Sequence, residues 1–214
     1  ILYIIMTCTT ATAPINISKD SIDDNCSLNC HYKYDYPVTP SAPISNEGNY
    51  LVISYDNAKI KFNDNELLTN SIRIYTPSMH TFNGLASDGE IIISHVGAGY
   101  SLLVCIPIVI SSGKSEGSKE LESIIKFASE FIPNVGEKSS YVSSTFTLNS
   151  FIPKKKPFYS YNGTLPYSPC NGNHNYVVFM PSDSSVFISS ENMNQLQKMI
   201  IKHDSVIKKT NSVF

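Results

Sequence analysis

Two cysteines and a histidine near the N-terminal end of the chain are spaced closely enough to form a disulfide or hold a metal ion. Three residues separate Cys26 from Cys30, and His31 follows directly. Thiolate and imidazole groups are good zinc ligands, and two nearby thiols can equally close a small disulfide. A structural zinc site needs a second pair of such ligands, and none follows at a suitable spacing. A local disulfide and a metal site therefore remain alternatives.

A run of three lysines, Lys154, Lys155 and Lys156, is the clearest candidate for binding a charged partner. Further lysines occur on or after the last predicted helix, at Lys198, Lys202, Lys208 and Lys209. Clustered lysines attract polyanions such as sulfated glycans through Coulomb forces that salt weakens. The alternative is a solvated loop, and the net charge of −2 weighs against a polyanion partner. The same net charge gives no sign of nucleic-acid binding.

The secondary structure predicted around these residues consists mostly of strands. Hydrophobic residues make up 42% of the chain and charged residues 16%, with abundant Tyr, Ser, Ile and Val, a composition that favours strands. Apolar runs predict strands at 50–55, 71–75, 90–94, 101–106 and 175–179. Helical spacing of apolar residues predicts a helix over 118–131, ended by Pro133, and a second helix over 191–201.

The chain has the organisation of one domain. The 214 residues suffice for a substantial core, and the sequence contains no repeat, interdomain linker or phosphate-binding glycine loop. We expect an N-terminal arm over 1–11 and a single domain over 12–214.

Several segments resemble, in order and spacing, motifs of the α-carbonic anhydrase family. Ala13-Pro-Ile-Asn-Ile17 is similar to the family's Ser-Pro-Ile-Asn-Ile, and His80-Thr-Phe-Asn-Gly84 to its His-Thr-Val-Asp-Gly. The likeness continues through the segments 46–49, 71–76, 89–95, 159–165 and 188–191. The resemblance implies a mainly β fold with a few helices, built around a large twisted, mostly antiparallel mixed sheet.

The resemblance also indicates where a catalytic zinc ion would be held. Family enzymes use three histidines, two alternating on one strand and one on the neighbouring strand, so that all three share a face. Arg73, Tyr75 and Ile92 occupy these positions here. Arginine does not lose its proton in proteins, and isoleucine offers no lone pair. The resemblance therefore predicts no zinc, no other cofactor and no enzymatic activity.

Other positions around the site are partly altered and partly retained. Asn49 stands where the family has its proton-shuttle histidine, and Pro166 stands at the gatekeeping threonine. Residues that support the ligands in the family are retained as His80, Glu90 and His95. The likeness thus predicts a preserved scaffold around a lost catalytic centre.

The retained carboxylate needs a new partner if the metal ligands are gone. Glu90 and Ile92 lie two residues apart on a predicted strand and so share a face. An unpartnered buried carboxylate costs several kcal/mol in order of magnitude. We hypothesise that Arg73 pairs with Glu90 and replaces the metal as the fixed cation. The alternative is that Arg73 points outward and Glu90 bonds His80 or backbone amides.

The resemblance implies one long-range disulfide. In secreted family members a cysteine before the first strand pairs with a cysteine in a late loop, and Cys8 and Cys170 match these positions. Such a bridge indicates an oxidising environment. Cys105 lies in an apolar run and is expected to be an inert core thiol.

These observations lead to three hypotheses of function. The first is a catalytically inactive binding or attachment module for a glycan or protein, outside the cell or on a virion surface. It draws on a further resemblance, since segments 72–77 and 88–91 are similar to strands of a poxvirus envelope protein of this fold that binds sulfated glycosaminoglycan. The second is a structural subunit of a larger assembly, such as a capsid or membrane complex. The third is an active zinc enzyme with relocated ligands, for example His80 and His95.

Overall fold

The computed structural model describes residues 11–18, 30–56, 58–181 and 185–201. In these residues fourteen strands occur, with two α-helices and a short 3₁₀ turn at Leu148–Ser150. The strands are β1 (Asn16–Ile17), β2 (Tyr32–Tyr34), β3 (Ser41–Asn46), β4 (Leu51–Ser54), β5 (Lys59–Phe62), β6 (Asn65–Tyr75), β7 (Thr81–Phe82), β8 (Leu85–Ala86), β9 (Gly89–Gly97), β10 (Tyr100–Ile110), β11 (Lys138–Val142), β12 (Phe158–Gly163), β13 (His174–Phe179) and β14 (Val186–Ile188). The helices are α1 (Ser118–Phe131) and α2 (Ser190–Met199).

Eleven of the described strands form one large mixed sheet. Its main path runs β11-β3-β4-β6-β9-β10-β13-β12, with β5 beside β6, β2 beside β5 and β14 beside β10. Most neighbours are antiparallel, whereas β13 and β14 both run parallel to β10. A separate small sheet joins β1, β7 and β8. This architecture confirms the predicted fold class.

One side of the large sheet is covered by the two helices, and we call it the helix face. Its strands contribute buried aliphatic residues such as Ile74, Ile93 and Val104, which join the apolar faces of both helices in one core cluster. The apolar residues of α1 recur every three or four positions, so they point to one side. Pro133 follows directly after the last helical turn, as predicted.

The opposite side of the sheet carries a smaller and more polar cluster, and we call it the tyrosine face. It contains Tyr75, Ile92, Cys105, Tyr161 and Tyr176, packed against the segment around β1 and β7. Because side chains alternate along a strand, neighbouring residues of β6, β9 and β10 belong to different faces. The sheet therefore separates an aliphatic core from a layer rich in hydroxyl groups.

The predicted elements are found, and several of them differ in length from the prediction. The first helix has the predicted bounds, and the second covers Ser190–Met199, where the Ser189 hydroxyl accepts a hydrogen bond from the backbone amide of Asn192 (3.2 Å). That cap explains why α2 begins one residue before the predicted start. Neither of the two described helices has the length and apolar character needed to span a membrane.

Candidate functional site

Strands β6 and β9 bring the three predicted ligand positions together on the tyrosine face. Arg73 lies directly opposite Ile92, and Tyr75 lies directly opposite Glu90. Arg73 and Tyr75 are two residues apart on one strand, so both point to the same side. The convergence predicted from the spacing is therefore present.

Arg73 is held at this position by neutral groups. Its Nη1 donates to the hydroxyls of Ser71 (3.0 Å) and Ser94 (3.2 Å). The same nitrogen donates to the hydroxyl of Tyr167 (3.0 Å). The guanidinium carbon lies 4.1 Å from the centre of the Tyr167 ring and 5.7 Å from that of Tyr50, both within the range of a cation–π contact. The side chain is thus fixed in place by hydroxyls and aromatic rings.

The hypothesis that Arg73 pairs with Glu90 is wrong. One carboxylate oxygen of Glu90 accepts hydrogen bonds from the backbone amides of Met79 (2.7 Å) and His80 (3.0 Å). The other is hydrogen-bonded to His80 Nδ1 at 2.7 Å. The reason lies in the register, because Glu90 is opposite Tyr75 and nearer the turn at 79–80 than Arg73 is. The part of the alternative in which Glu90 bonds His80 and backbone amides is found, whereas Arg73 is held by hydroxyls and tyrosine rings instead of extending freely into solvent.

These bonds form a closed network of buried polar groups. His80 Nε2 lies 2.7 Å from the hydroxyl of Tyr161, and both His80 and Glu90 are almost fully buried. Burial alone would raise the pKa of Glu90, but the attraction of His80 and the hydrogen bonds from its ring and from two amides outweigh it and lower the pKa. Burial raises the pKa of Tyr161 well above its usual value. The carboxylate therefore stays ionised, and the phenol keeps its proton.

His95 lies on the helix face, away from Glu90. Its Nε2 lies 2.8 Å from the hydroxyl of Tyr36, and its Nδ1 lies 3.3 Å from the carbonyl oxygen of Leu102. Burial lowers the pKa of His95 to about 4. A neutral ring that donates from Nδ1 and accepts at Nε2 satisfies both contacts. His95 is consequently a structural residue of the core.

The predicted shuttle and gatekeeper positions are next in sequence to the two tyrosines that contact Arg73. Asn49 is exposed and immediately precedes Tyr50, while Pro166 is buried and immediately precedes Tyr167. Neither an amide nor a proline ring can take up a proton near neutral pH. These two positions therefore provide no proton relay.

The groups that hold Arg73 were not among the predicted site residues. Ser71 and Ser94 lie two residues from Arg73 and Ile92 on their strands, so strand alternation could have identified both. Tyr167 comes from a loop 94 residues further along the chain. Nothing local in the sequence indicates that contact.

The positions of Arg73, Tyr75 and Ile92 do not fit a zinc ion. Arg73 is permanently cationic and Ile92 has no donor atom. Tyr75 could bind a metal only as a phenolate, and burial raises its pKa well above the usual value, although Arg73 acts in the opposite direction. A catalytic zinc site needs three donors and one open position, which these three side chains do not supply.

A second group, His80, Glu90 and Cys105, has its donor atoms within 4.8 Å of one another. Both ring nitrogens of His80 and both oxygens of Glu90 are already engaged. Burial raises the pKa of the Cys105 thiol, and the nearby Glu90 charge raises it further, so the sulfur stays protonated. Zinc binds cysteine as the thiolate, so this group also does not fit the ion as it stands.

The lysine run lies at a groove on the side of the helix face. The groove has a volume of about 230 Å³, and its charged lining residues are Lys114, Glu116, Lys154 and Lys156. Lys154 Nζ lies 2.8 Å from one carboxylate oxygen of Glu116 and 2.9 Å from the other. Lys155 is exposed but is not part of this lining. Of the later lysines, Lys198 lies on α2, and Lys202, Lys208 and Lys209 fall outside the described residues.

The cysteines are only partly within the described residues. Cys105 is a buried free thiol, as predicted, whereas Cys30 and Cys170 each take part in a disulfide. Cys8, Cys26 and most of the predicted N-terminal arm lie outside the described residues, so the Cys8–Cys170 pairing stays a prediction. Because a disulfide sulfur is not a thiolate, Cys30 does not serve as the proposed metal ligand.

The known proteins that this chain resembles have the same fold. The family described as eukaryotic-type carbonic anhydrase matches residues 6–211. The α-carbonic anhydrase of Thermovibrio ammonificans, solved with sulfanilamide, superposes with a TM-score of 0.80 at 18% identity, over 96% of this chain and 87% of that one. No curated protein matches the sequence.

Two further solved structures show the same architecture. The α-carbonic anhydrase of Aspergillus oryzae has a TM-score of 0.76 at 20% identity, over 94% of this chain and 82% of that one. Dioscorin complexed with ascorbate also has a TM-score of 0.76 at 20% identity, over 95% of this chain and 84% of its own. With almost the whole sequence matched by one family, the chain belongs to the eukaryotic-type carbonic anhydrases.

Proposed function

We propose that this member of the carbonic anhydrase family is not a hydratase and instead binds a polyanionic partner, such as a sulfated glycan, at a surface. The observation that carries the loss of catalysis is the Arg73 guanidinium, which three hydroxyls and two tyrosine rings fix on the tyrosine face. By resemblance this is where the family holds its first zinc ligand. A fixed positive charge there repels a second cation.

The groove beside the lysine run supplies a binding surface. Three lysines and one glutamate line it, which leaves an excess of two positive charges. The pair between Lys154 and Glu116 is exposed, with about two thirds of each side chain accessible, so it is worth little and can be exchanged for a sulfate group. Apolar atoms of Phe151, Ile152 and Val186 form the floor. A charged rim around an apolar floor suits a sulfated sugar.

Several further observations support a role at a surface. Disulfide bonding of Cys30 and Cys170 favours an oxidising environment, as outside a cell or on a virion. The structure of dioscorin with ascorbate is an example of this fold in complex with a small molecule. The resemblance of segments 72–77 and 88–91 to a glycosaminoglycan-binding poxvirus envelope protein is a third line of support.

Binding to heparan sulfate across a salt series tests this function. The test variant carries Lys114→Gln, Lys154→Gln and Lys156→Gln, and the control carries Lys33→Gln, Lys126→Gln and Lys138→Gln. All six lysines are accessible, and both variants change the net charge equally. If each lost contact is worth roughly 0.5 kcal/mol, the groove variant should bind about tenfold more weakly. The control should bind like the wild type, and binding should weaken as salt rises.

Two results would contradict the proposal. Equal affinities of the groove variant and its control would show that binding does not depend on the groove. Absence of binding at low salt would favour the alternative of a structural subunit in a larger assembly.

Zinc-dependent hydration is a second candidate, favoured by the proximity of His80, Glu90 and Cys105. It requires the bonds of His80 to Glu90 and Tyr161 to open and the Cys105 thiol to ionise. Stoichiometric zinc in the purified protein would support it.

A further inference from the structure

Arg73 is a cation without an anionic partner in the part of the chain that the structure describes. Its hydrogen bonds go to three hydroxyls, and its ring contacts go to two tyrosine rings. The ion pairs among the described residues do not include Arg73, and the Glu90 carboxylate is engaged by His80 and by two amides. The guanidinium is only partly exposed, so water screens its charge incompletely.

The hydrogen-bonding capacity of the guanidinium is also incompletely used. All three of its hydrogen bonds leave from Nη1, which carries two protons, so one proton is shared between two of the hydroxyls. The Nε donor is buried and has no hydrogen-bond partner. A guanidinium presents its donors as a planar fork that matches the two oxygens of a carboxylate or sulfate group. Nη2, which makes no hydrogen bond to a described residue and is not among the buried unpartnered atoms, therefore suits an oxyanion at the accessible edge of the guanidinium.

The hydroxyls around Arg73 complete a set of donors. A hydroxyl oxygen that accepts a hydrogen bond from Arg73 must direct its own proton elsewhere. Ser71 has that proton available, and Ser94 and Tyr167 share one contact at 3.2 Å, which uses at most one of their two protons. At least two hydroxyl protons thus remain beside the positive charge.

We propose that Arg73, Ser71, Ser94 and Tyr167 form a binding site for one small oxyanion, a carboxylate or a sulfate group. The anion approaches the accessible part of the guanidinium and accepts hydrogen bonds from Arg73 and from the neighbouring hydroxyls. It supplies the negative charge that no described residue provides.

This site is separate from the lysine groove. Arg73 faces the cluster that contains Ile92 and Cys105, whereas Phe151, Ile152 and Val186 of the groove belong to the helix-face cluster. The two sites therefore lie on opposite sides of the sheet. Small-anion binding at Arg73 does not depend on whether the groove binds a glycan.

The test is a calorimetric titration with sodium sulfate and, separately, sodium acetate, at an ionic strength kept constant with chloride. The wild type should bind at least one of the two anions saturably, and the better ligand identifies the class. Arg73→Gln should bind it at least tenfold more weakly. Arg73→Lys keeps the charge but loses the fork, so it should fall between the two. Lys126→Gln with Lys138→Gln removes two exposed lysines that belong to neither site and should leave small-anion binding unchanged.

Two further measurements keep the test decisive if Arg73→Gln does not fold. Ser94→Ala retains the cation and removes one hydroxyl, so it should weaken anion binding severalfold. The NMR signal of Arg73 Nε–H in the wild type should shift during the titration with the same saturation curve. Unchanged binding in Ser94→Ala together with an unmoved Nε–H signal would overturn the site, as would the absence of saturable binding in the wild type.

Discussion

The helix face and the tyrosine face of the sheet are stabilised in different ways. On the helix face, aliphatic residues from six or more strands pack against two helices, and His95 is one of the few buried ionisable groups there. On the tyrosine face, a smaller apolar cluster surrounds the chain of Glu90, His80 and Tyr161 and, nearby, the guanidinium of Arg73. Packing dominates on one side, and hydrogen bonds to charged groups dominate on the other.

The tyrosine face is the part of the molecule whose chemistry can change with the least effect on the core. Substitutions on the helix face alter the core that all strands share, since interiors are close-packed. On the tyrosine face, the Glu90 network is complete in itself and does not include Arg73. The residues at the predicted ligand positions can therefore change while the supporting network stays intact.

Removal of the Glu90 carboxylate should have the largest effect. Glu90→Ala leaves two buried amides and the His80 ring without their acceptor, and we expect a loss of about 3–5 kcal/mol in the free energy of unfolding. Glu90→Gln keeps the shape and one acceptor oxygen, so it should cost about 1–3 kcal/mol. Urea denaturation measures both, and a Glu90→Ala protein as stable as the wild type would refute the importance of the network.

A cavity on the helix face should cost nearly as much. Ile93 is fully buried there, and Ile93→Ala should lower the free energy of unfolding by about 2–5 kcal/mol. Val96→Ala is a control on the same strand, because Val96 is 46% exposed, and should stay within about 0.5 kcal/mol of the wild type. The cost of Ile93→Ala should be the same at pH 5 and pH 8, since no charge is removed. A marked pH dependence of that cost would undermine the contrast between the faces.

Acid should destabilise the two faces in different pH windows. The pKa of His95 is lowered from 6.5 to about 4, so the unfolded chain binds more protons between these values, and stability falls as pH drops from 6.5 towards 4. The full effect is up to about 3 kcal/mol. The pKa of Glu90 is lowered from 4.5, so its contribution to stability is complete above that pH and is lost only below it.

His95→Gln should remove the fall in stability between pH 6.5 and pH 4 and keep the fall below pH 4.5. Thermal unfolding at a series of pH values measures both. An unchanged slope between pH 4 and 6.5 in His95→Gln would contradict the assignment.

The smallest of these effects should come from the hydroxyl at the end of the network. Tyr161→Phe removes the partner of His80 Nε2 and should cost about 1–2 kcal/mol in the free energy of unfolding. Tyr159→Phe is a matched control two residues away on β12, because its hydroxyl has no hydrogen bond to a described residue. Equal stability of the two variants would place Tyr161 outside the network.

The sequence predicts the helix face better than the tyrosine face. Continuous apolar runs identify strands such as β9 and β10, and helical spacing identifies α1, because burial on that side requires aliphatic residues in regular order. Strand β3 was not predicted, since Ser41, Pro43 and Ser45 interrupt any apolar run. It pairs with β4, which follows closely in the chain, and with β11, which is distant in the sequence.

At the candidate site, residue spacing predicts the face on which a side chain lies but not the groups that it contacts. Strand alternation correctly places Arg73 and Tyr75 on one face of the sheet. It does not determine which neighbouring groups each side chain contacts along the strand. The partner of Glu90 is therefore set by a turn at 79–80, and the ring over Arg73 comes from the loop that carries Tyr167. Such contacts depend on tertiary structure, which no local pattern encodes.

The zinc content of the purified protein tests most directly whether a guanidinium has taken the place of the metal. The protein is incubated with excess zinc, desalted and analysed by inductively coupled plasma mass spectrometry, beside a His80→Gln variant. We predict far less than one zinc per chain in both proteins. One tightly held zinc per chain in the wild type that is lost in His80→Gln would contradict the proposal and restore a metal-dependent enzyme.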